Sequence, residues 1–365
     1  MPYFNFKNIK ITGMASAVPT NIVTSESYNE VLGEDAVKKF VKMTGVKEVR
    51  KTHEKQTASD LGCAAAEKLL TEKNIDRNTI GAVIFAAHST DYRRPATACV
   101  LLHRLGIKNK DCAAFDVSLG CSAFVYGVQI ICSMMETSDM TRALLIVGET
   151  MSKMVYPEDK SSNMLFGDAG SAVLLEKTEE ESTINALTCS DGSGWKAIVA
   201  PAGGFRNMEA SHEPMIWADG NPRTLYNTIM DGMAVFNFTI SDVPETMNQF
   251  FEKSGTTSED YDIFALHQAN KFILKQLSKK LGASKDQVPM CIDRFGNTSA
   301  AAIPLTICDA LGNTEGGRNK IFMSGFGVGL SWGVVSAEID AADVLPVFET
   351  DDYFADGIIN SPEDM

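Results

Sequence analysis

The sequence has no apolar run of about 18 residues, the minimum for a membrane-crossing helix. Its first ten residues, M-P-Y-F-N-F-K-N-I-K, lack the apolar core of a secretory signal, so a cytoplasmic protein is expected. No C-x-x-C pair occurs. The eight cysteines, at 63, 99, 112, 121, 132, 189, 291 and 308, are scattered. That pattern speaks for free thiols in a reducing compartment and against a disulfide framework or a zinc site. Neither a metal nor another resident cofactor is expected. Basic residues are scarce: 33 Lys and Arg stand against 47 Asp and Glu, for a formal net charge of −14. A nucleic-acid binder needs basic patches, so that class is disfavoured. A phosphate-gripping G-x-G-x-x-G is missing too. Gly325–Gly329 (G-F-G-V-G) comes near it, but no helical pattern follows.

What is present is a long, moderately apolar chain. Its 365 residues are 44% hydrophobic and 22% charged, enough for a large core and for two domains or one doubled domain. The acidity is uneven: after Lys320 no base occurs, and nine acids lie between Glu338 and Asp364. Buried strands are predicted at Ile80–Ala87, Arg142–Gly148, Ser171–Glu176, Ile263–His267 and Ile321–Ser324. Helical spacing appears at Ser59–Lys73 and Asn270–Leu281. This alternation predicts an α/β protein with largely parallel strands.

A long internal repeat divides the chain. A-F-D-V-x-x-G-C-S-A-F, L-L-I-V-G-E and G-D-A-G-S-A-V-L-L-E in the first half answer to C-I-D-R-F-G-N-T-S-A-A, I-F-M-S-G-F-G and G-L-S-W-G-V-V-S-A-E in the second. Each copy predicts a strand, a small-residue turn, an Ala-rich helix, a strand ending in Gly and a Gly-rich hairpin. The repeat implies a duplicated domain. The organisation follows as residues 1–180, the first half; 181–235, a connection; 236–340, the second half; and 341–365, an acidic tail. Within the connection, Gly203–Leu225 has the composition of an inserted loop and is a candidate lid. The tail is expected to be disordered or to bind a partner.

Three residues stand out chemically. Cys121, after Gly120 and before S-A-F, lies at a predicted helix start. There the helix dipole and free N–H groups favour thiolate, a nucleophile for thioester carbonyls. The competing reading is a packed structural cysteine, one of eight. His267, in I-F-A-L-H-Q-A-N, ends a predicted strand, where ligands bind in open α/β sheets; a satisfied core histidine is the alternative, and His88, also ending a strand, is its rival. Asn297, in G-N-T-S-A-A, holds nearly the place in half two that Cys121 holds in half one, and is otherwise a helix cap. The glycines at 325–329 allow close backbone approach to a substrate.

Together, Cys121 in A-F-D-V-x-x-x-C-x-x-F, F-G-D-A-G-S-A-V-L at 166–174, His267 in H-Q-A-N, Asn297 in G-N-T-S-A-A and G-F-G-x-G-L-x-W-G resemble β-ketoacyl-acyl carrier protein synthase III, of the thiolase-like superfamily. The resemblance runs from about Ile9 to Glu338. It implies a cytoplasmic homodimer with a duplicated thiolase-like, five-layer αβαβα fold. It implies an acyltransferase: Cys121 takes an acyl group from a thioester, with the oxyanion on the N–H groups of Cys121 and Val328. His267 and Asn297 then hold the malonyl-carrier-protein acceptor and its enolate through decarboxylation. An acidic carrier protein is the implied partner. Lys271, Lys275 and Lys279, spaced i, i+4, i+8 with Lys280 beside them, form a basic face suited to steer it; a plain solvated lysine face is the other reading.

The chain departs from the family pattern at several points. Family members that load from coenzyme A resemble D-E-W-I-V-T-R-T-G where this chain has V-K-K-F-V-K-M-T-G, with Lys39 and Met43 at the Trp and Arg places. That favours a carrier-protein donor. Phe272 replaces an Arg after H-Q-A-N-K, and Val328 replaces the middle glycine of G-F-G-G-G. Arg94 stands where the family often sends an apolar residue into the partner subunit's acyl pocket, which suggests a polar or carboxylated acyl group. Three other functions compete. One is acyl transfer to an oxygen or nitrogen nucleophile without decarboxylation. Another is a papain-like hydrolase, which shares the order Cys…His…Asn but has a local signature this chain lacks. The third is a non-catalytic partner subunit, a type that typically loses the nucleophile.

Overall fold

The computed structural model describes residues 2–364. In chain order, the strands of its two large sheets are β1 (Tyr3–Lys7), β2 (Ile9–Val18), β3 (Ala82–Ala86), β4 (Ala113–Val117), β5 (Arg142–Glu149), β6 (Ala169–Lys177), β7 (Thr183–Ser190), β8 (Ile263–Leu266), β9 (Arg318–Gly327), β10 (Ser331–Asp340) and β11 (Phe348–Glu349). One sheet runs β11-β2-β6-β5-β3-β4 and the other β1-β7-β10-β9-β8. The principal helices are α1 (Ala58–Glu72), α2 (Thr97–Arg104), α3 (Ala123–Glu136), α4 (Gly232–Ser254), α5 (Lys271–Leu281) and α6 (Ala302–Leu311).

Strand alternation explains the layers. Ile84, Leu145, Val147 and Val173 point one way, into the same core as Val335, Ile321 and Met323 of the other sheet and as helices α3 and α6. Their sequence neighbours Val83, Phe85, Leu144, Ile146 and Leu174 point the other way, onto α1 and α2. In the second sheet Phe264, Leu266, Phe322 and Val334 pack outward with α4 and α5. Strands buried on both faces read as continuous apolar runs, which is why they were visible in the sequence. The stack is therefore helix, sheet, helix, sheet, helix: the expected five-layer αβαβα arrangement, with α3 and α6 as its middle layer.

The strands are not largely parallel as expected. Only β3–β4, β3–β5, β8–β9 and β11–β2 run parallel among the paired strands of these sheets; β6 and β10 run antiparallel to both their neighbours. The reason is local: β9 and β10 are joined by a tight hairpin across Val328–Leu330, which forces reversal. The duplication holds in this pattern, since β2-β6-β5-β3 matches β7-β10-β9-β8 in order and direction. It breaks at one place. Half one adds β4 before Cys121, whereas half two has a single helical turn, Ile292–Phe295, before Asn297 instead of the strand expected there.

The acidic tail is ordered rather than free. Beyond β11 it lies across the first half, held by its aromatic rings and its main chain. Phe348, Tyr353 and Phe354 sit under the cations of Lys68, Lys55 and Arg104 at 5.2, 5.7 and 4.8 Å. Glu349 pairs with Arg50 at 2.6 Å, and Gln56 donates to the carbonyls of Thr350 and Asp352. The insertion is tied down at its far end, where Arg223, almost fully buried, donates to Asp159 at 2.6 Å and to Asp219 at 2.6 Å. Its outer part stays exposed, Phe205 at 75%.

Helix α1 rests on β6 through two glycines. A methyl group on residue 170 would lie 2.3 Å from the Gly62 amide nitrogen and 2.5 Å from the Leu61 carbonyl carbon. Gly170→Ala therefore pushes the helix off the sheet. The expected cost is about 1–3 kcal/mol, seen as a lower urea midpoint at unchanged slope. An unchanged midpoint would show that this contact is slack.

Candidate active site

Cys121 sits on the turn between β4 and α3, closed by the Ala123 N–H donating to the Gly120 carbonyl at 2.8 Å. Strand β9 packs directly against it. A methyl on residue 327 would lie 2.8 Å from Cys121 Cβ and 3.1 Å from Sγ, and one on residue 325 would lie 2.7 Å from the Cys121 carbonyl oxygen. Glycine at these two positions is thus a steric requirement of the site. The next residue, Ser122, is buried and donates to Ser331 Oγ at 2.7 Å; Ser331 in turn donates to the Val328 carbonyl at 2.6 Å. That chain locks the hairpin carrying Val328 to the nucleophile turn.

The thiol is not poised as thiolate. Burial pushes it up to about 12, the buried Glu149 carboxylate adds to the rise, and a hydrogen bond from Ser299 only partly offsets both. The first-turn dipole is outweighed because α3 starts between two sheets, where a charge loses its hydration. The Cys121 thiol keeps its proton at neutral pH. This corrects the expectation drawn from helix position.

His267 stands just past β8, its N–H donating to the Ser324 carbonyl of β9 at 2.9 Å. It is 2% exposed, and the Phe326 ring meets it edge-on with centroids 5.3 Å apart. Burial holds the imidazole down at about 3, so it stays neutral across the physiological range. Its Nδ1 is buried without a hydrogen-bond partner among the described residues. An unpaired buried ring nitrogen is costly and marks a place for a ligand atom. The following residues shape the site: Gln268 accepts from the Cys291 N–H at 3.3 Å, and Asn270 caps α5 by accepting from Ile273 N–H at 2.8 Å.

Asn297 is fixed by its main chain to the F-G-D-A-G stretch. Its N–H donates to Leu165 at 2.8 Å and its carbonyl accepts from Gly167 at 3.2 Å. Its Oδ1 accepts from the Ser299 N–H at 2.9 Å, which leaves the Nδ2 end as a donor. The helical turn that follows starts from Thr298 and α6 from Ala301, neither with a side-chain cap, so Asn297 is not their cap. Ser299 was missed by sequence reasoning. It adopts the left-handed backbone, φ 49°, rare for a residue with a side chain, and its Oγ lies 3.6 Å from Cys121 Sγ. Only its place inside G-N-T-S-A-A hinted at it. Through Ser299, Asn297 and Cys121 share one hydrogen-bonded unit. Strand β9 in turn touches His267 through Ser324 and Phe326, and touches Cys121 through Gly325 and Gly327.

The other predicted residues lie farther out. Lys271, Lys275, Lys279 and Lys280 are exposed on α5, while Ile273, Leu277 and Leu281 are buried. The stem of Lys271 packs on Gly45, at the end of the helix Glu34–Thr44, where Lys39, Lys42 and Met43 are exposed. Phe272 is 46% exposed and stacks on Phe236 at 5.7 Å. Arg94 is exposed on the loop before Pro95, and its neighbour Arg93 donates to the Gly203 carbonyl at 3.2 Å and lies over Phe205.

Comparison with known proteins agrees with this geometry. Residues 115–192 match the family model for 3-oxoacyl-[acyl-carrier-protein (ACP)] synthase III, and residues 251–339 match the model for its C-terminal part. A β-ketoacyl-[acyl-carrier-protein] synthase III from Caldanaerobacter subterraneus subsp. tengcongensis is 32% identical over 88% of this chain and 95% of its own length. One from Clostridium novyi is 31% identical over 89% and 97%. Among solved structures, a 3-oxoacyl-(acyl-carrier protein) synthase from Burkholderia xenovorans superposes with a TM-score of 0.89 at 34% identity, covering 96% of this chain and 99% of that one. A synthase III from Aquifex aeolicus gives 0.77 at 29% identity, covering 91% and 100%. With two matching family models and curated relatives about a third identical over most of its length, this chain of duplicated αβαβα fold belongs to the 3-oxoacyl-[acyl-carrier-protein] synthase III family.

Proposed function

We propose that the chain is an acyltransferase that condenses a Cys121-bound acyl group with malonyl-acyl carrier protein, releasing carbon dioxide. The single observation that carries this reading is a dry site where a thiol, a neutral imidazole and an oriented amide meet on one strand and one serine. Cys121 attacks the donor thioester, and the oxyanion is held by the N–H groups of Cys121 and Val328. The malonyl thioester carbonyl then binds His267 and Asn297. Loss of carbon dioxide leaves an enolate, and two neutral donors suit it: they stabilise the developing oxyanion without giving up a proton. The enolate carbon attacks the acyl-enzyme, and the Cys121 thiolate departs. No step needs a metal or a redox cofactor.

The donor is proposed to arrive on a carrier protein. In support, the place where relatives that load from coenzyme A are expected to stack the nucleotide carries exposed Lys39 and Met43. Lys39 and Lys42 extend the α5 lysines into a basic face that suits an acidic carrier. A cytoplasmic homodimer is proposed as well. Strand β4 is an unpaired sheet edge, and its apolar residues Phe115 and Val117 are only half-buried, which is how a strand awaiting a second copy looks. Pairing there would bring Arg94 near the partner's acyl pocket.

Intact mass measurement after incubation with acyl-carrier protein should show one acyl adduct, absent in Cys121→Ala. No adduct from any thioester would refute the reading. His267→Ala and Asn297→Ala should each lower malonyl-thioester decarboxylation by roughly 10²–10³-fold. Because His267 is held down near 3, falling pH does not charge it at the ordinary histidine value. Decarboxylation should therefore show no loss with a midpoint near 6.5; such a midpoint would mean that the imidazole is ordinarily solvated. Charge reversal at Lys275 and Lys279 should raise KM for the carrier protein about tenfold at low salt, with kcat unchanged and the effect fading as salt screens it. An unchanged KM would return these lysines to solvent duty alone.

A further inference from the structure

No step proposed above uses Asp168, the aspartate of F-G-D-A-G at 166–170, and that side chain is fully buried. A carboxylate removed from water must draw hydrogen bonds from the protein. Asp168 draws them from two places. Its Oδ1 accepts from the Ser152 N–H at 2.9 Å, and its Oδ2 accepts from Ser152 Oγ at 2.6 Å. The same Oδ2 accepts from the Thr52 N–H at 2.9 Å and from Thr52 Oγ1 at 2.8 Å. In addition, its own N–H donates to the Arg50 carbonyl at 2.8 Å. Asp168 thus ties the start of β6 to the stretch after β5 and to the segment at 50–52. That segment is itself anchored: Arg50 pairs with Glu349 at 2.6 Å, and the Lys51 ammonium donates to Asn163 Oδ1 at 3.0 Å.

The residues just before Asp168 are the ones that hold Asn297. Leu165 accepts from the Asn297 N–H, and the Gly167 N–H donates to the Asn297 carbonyl. The two stretches meet without slack. A methyl on residue 167 would lie 2.1 Å from the Phe295 carbonyl oxygen, and one on residue 296 would lie 2.5 Å from the Leu165 carbonyl oxygen. In packing this close, a shift at residue 168 reaches the main chain of Asn297. From this geometry we propose that Asp168 is a positioning residue for Asn297. By gripping Thr52 and Ser152 it fixes the stretch 165–167, and through that stretch the direction of the Asn297 amide. The proposal rests on the acceptor-binding role given above to Asn297. No bond forms or breaks at Asp168 itself.

The nucleophile is held by other means. Its turn is closed by the Gly120 carbonyl, backed by Gly325 and Gly327, and tied to the β9–β10 hairpin through Ser122 and Ser331. Asp168 is not among these contacts. It therefore serves the acceptor step far more than the acylation step, whereas a residue that only held the fold together would serve both alike. The chemistry of the side chain also matters. Thr52 and Ser152 both present main-chain N–H groups, and an asparagine at 168 would set an NH₂ group against one of them. A carboxylate is the side chain of this length that accepts on both sides.

The test uses the full-length protein as wild type, Asp168→Asn, Asp168→Ala, Asn297→Ala and the double variant Asp168→Ala with Asn297→Ala. Hydrogen exchange read by mass follows the amides with no substrate present. In Asp168→Asn the segments 165–167 and 297–299 should exchange roughly tenfold faster, while 121–136 keeps the wild-type rate. Kinetics then separate the half-reactions. In Asp168→Ala, kcat for malonyl-thioester decarboxylation should fall roughly ten- to a hundredfold, with a smaller loss in Asp168→Asn. Acyl-adduct formation on Cys121 should stay within about threefold of wild type. The double variant should decarboxylate no more slowly than Asn297→Ala, because the group to be positioned is already gone. Multiplying losses, equal falls in both half-reactions, or unchanged exchange around Asn297 would each overturn the proposal. Should Asp168→Ala not fold, Thr52→Val and Ser152→Ala each remove one hydroxyl donor and should show the same selective loss, roughly threefold. A wild type that neither takes an acyl group nor decarboxylates a malonyl thioester would overturn the condensation reading instead, and the exchange result would still decide what Asp168 positions.

Discussion

Everything in this molecule hangs on the middle helical layer. Helices α3 and α6 are mostly buried because each faces a sheet above and a sheet below. Their N-terminal ends are therefore largely shielded from water, and Cys121 and Asn297, which precede them, share that shielding. Desolvation explains at once why the Cys121 thiol keeps its proton and why the His267 imidazole refuses one. Neutral groups in a dry site are strong hydrogen-bond donors at no cost in buried charge, which is what an enolate requires. The same dryness makes each polar connection count, so the small serines at 122, 299 and 331 carry more of the architecture than their size suggests.

The layers and the site residues were legible to different degrees. Apolar runs with both faces buried announced the strands, and the internal repeat paired the Cys121 turn with the Asn297 turn. The αβαβα stack itself came only with the family resemblance. Strand direction was not visible, because parallel and antiparallel strands share the same period of two. The lost strand before Asn297 was hidden for a related reason: C-I-D-R-F is too short for its pattern to tell a strand from the helical turn Ile292–Phe295. Ser299 was invisible as chemistry because a left-handed serine is spelled like any other. The protonation of Cys121 was misjudged because helix position is local, whereas burial is decided by residues two hundred positions away.

The expected disorder of the tail failed for an instructive reason. A run of nine acids without a base reads as a chain that repels itself and stays in solvent. That composition overlooked what is interleaved with the acids. Phe348, Tyr353 and Phe354 arrive at intervals that let each ring meet a cation of the first half, and the intervening main chain is taken up by Gln56. Few aromatic anchors are needed when the receiving surface already holds the charges that match.

That docking also redraws the electrostatic map of the protein. Arg50 and Lys73 are paired with Glu349 and Asp343, and Lys55, Lys68 and Arg104 lie over the rings of Tyr353, Phe348 and Phe354. The chain carries its own counterions there. A polyanionic visitor finds Arg50 and Lys73 already paired, while the lysines of α5 and of the neighbouring Glu34–Thr44 helix lie open. The tail thereby works as a partial mask: it takes up part of the first half's positive surface and leaves the lysines of α5 uncovered.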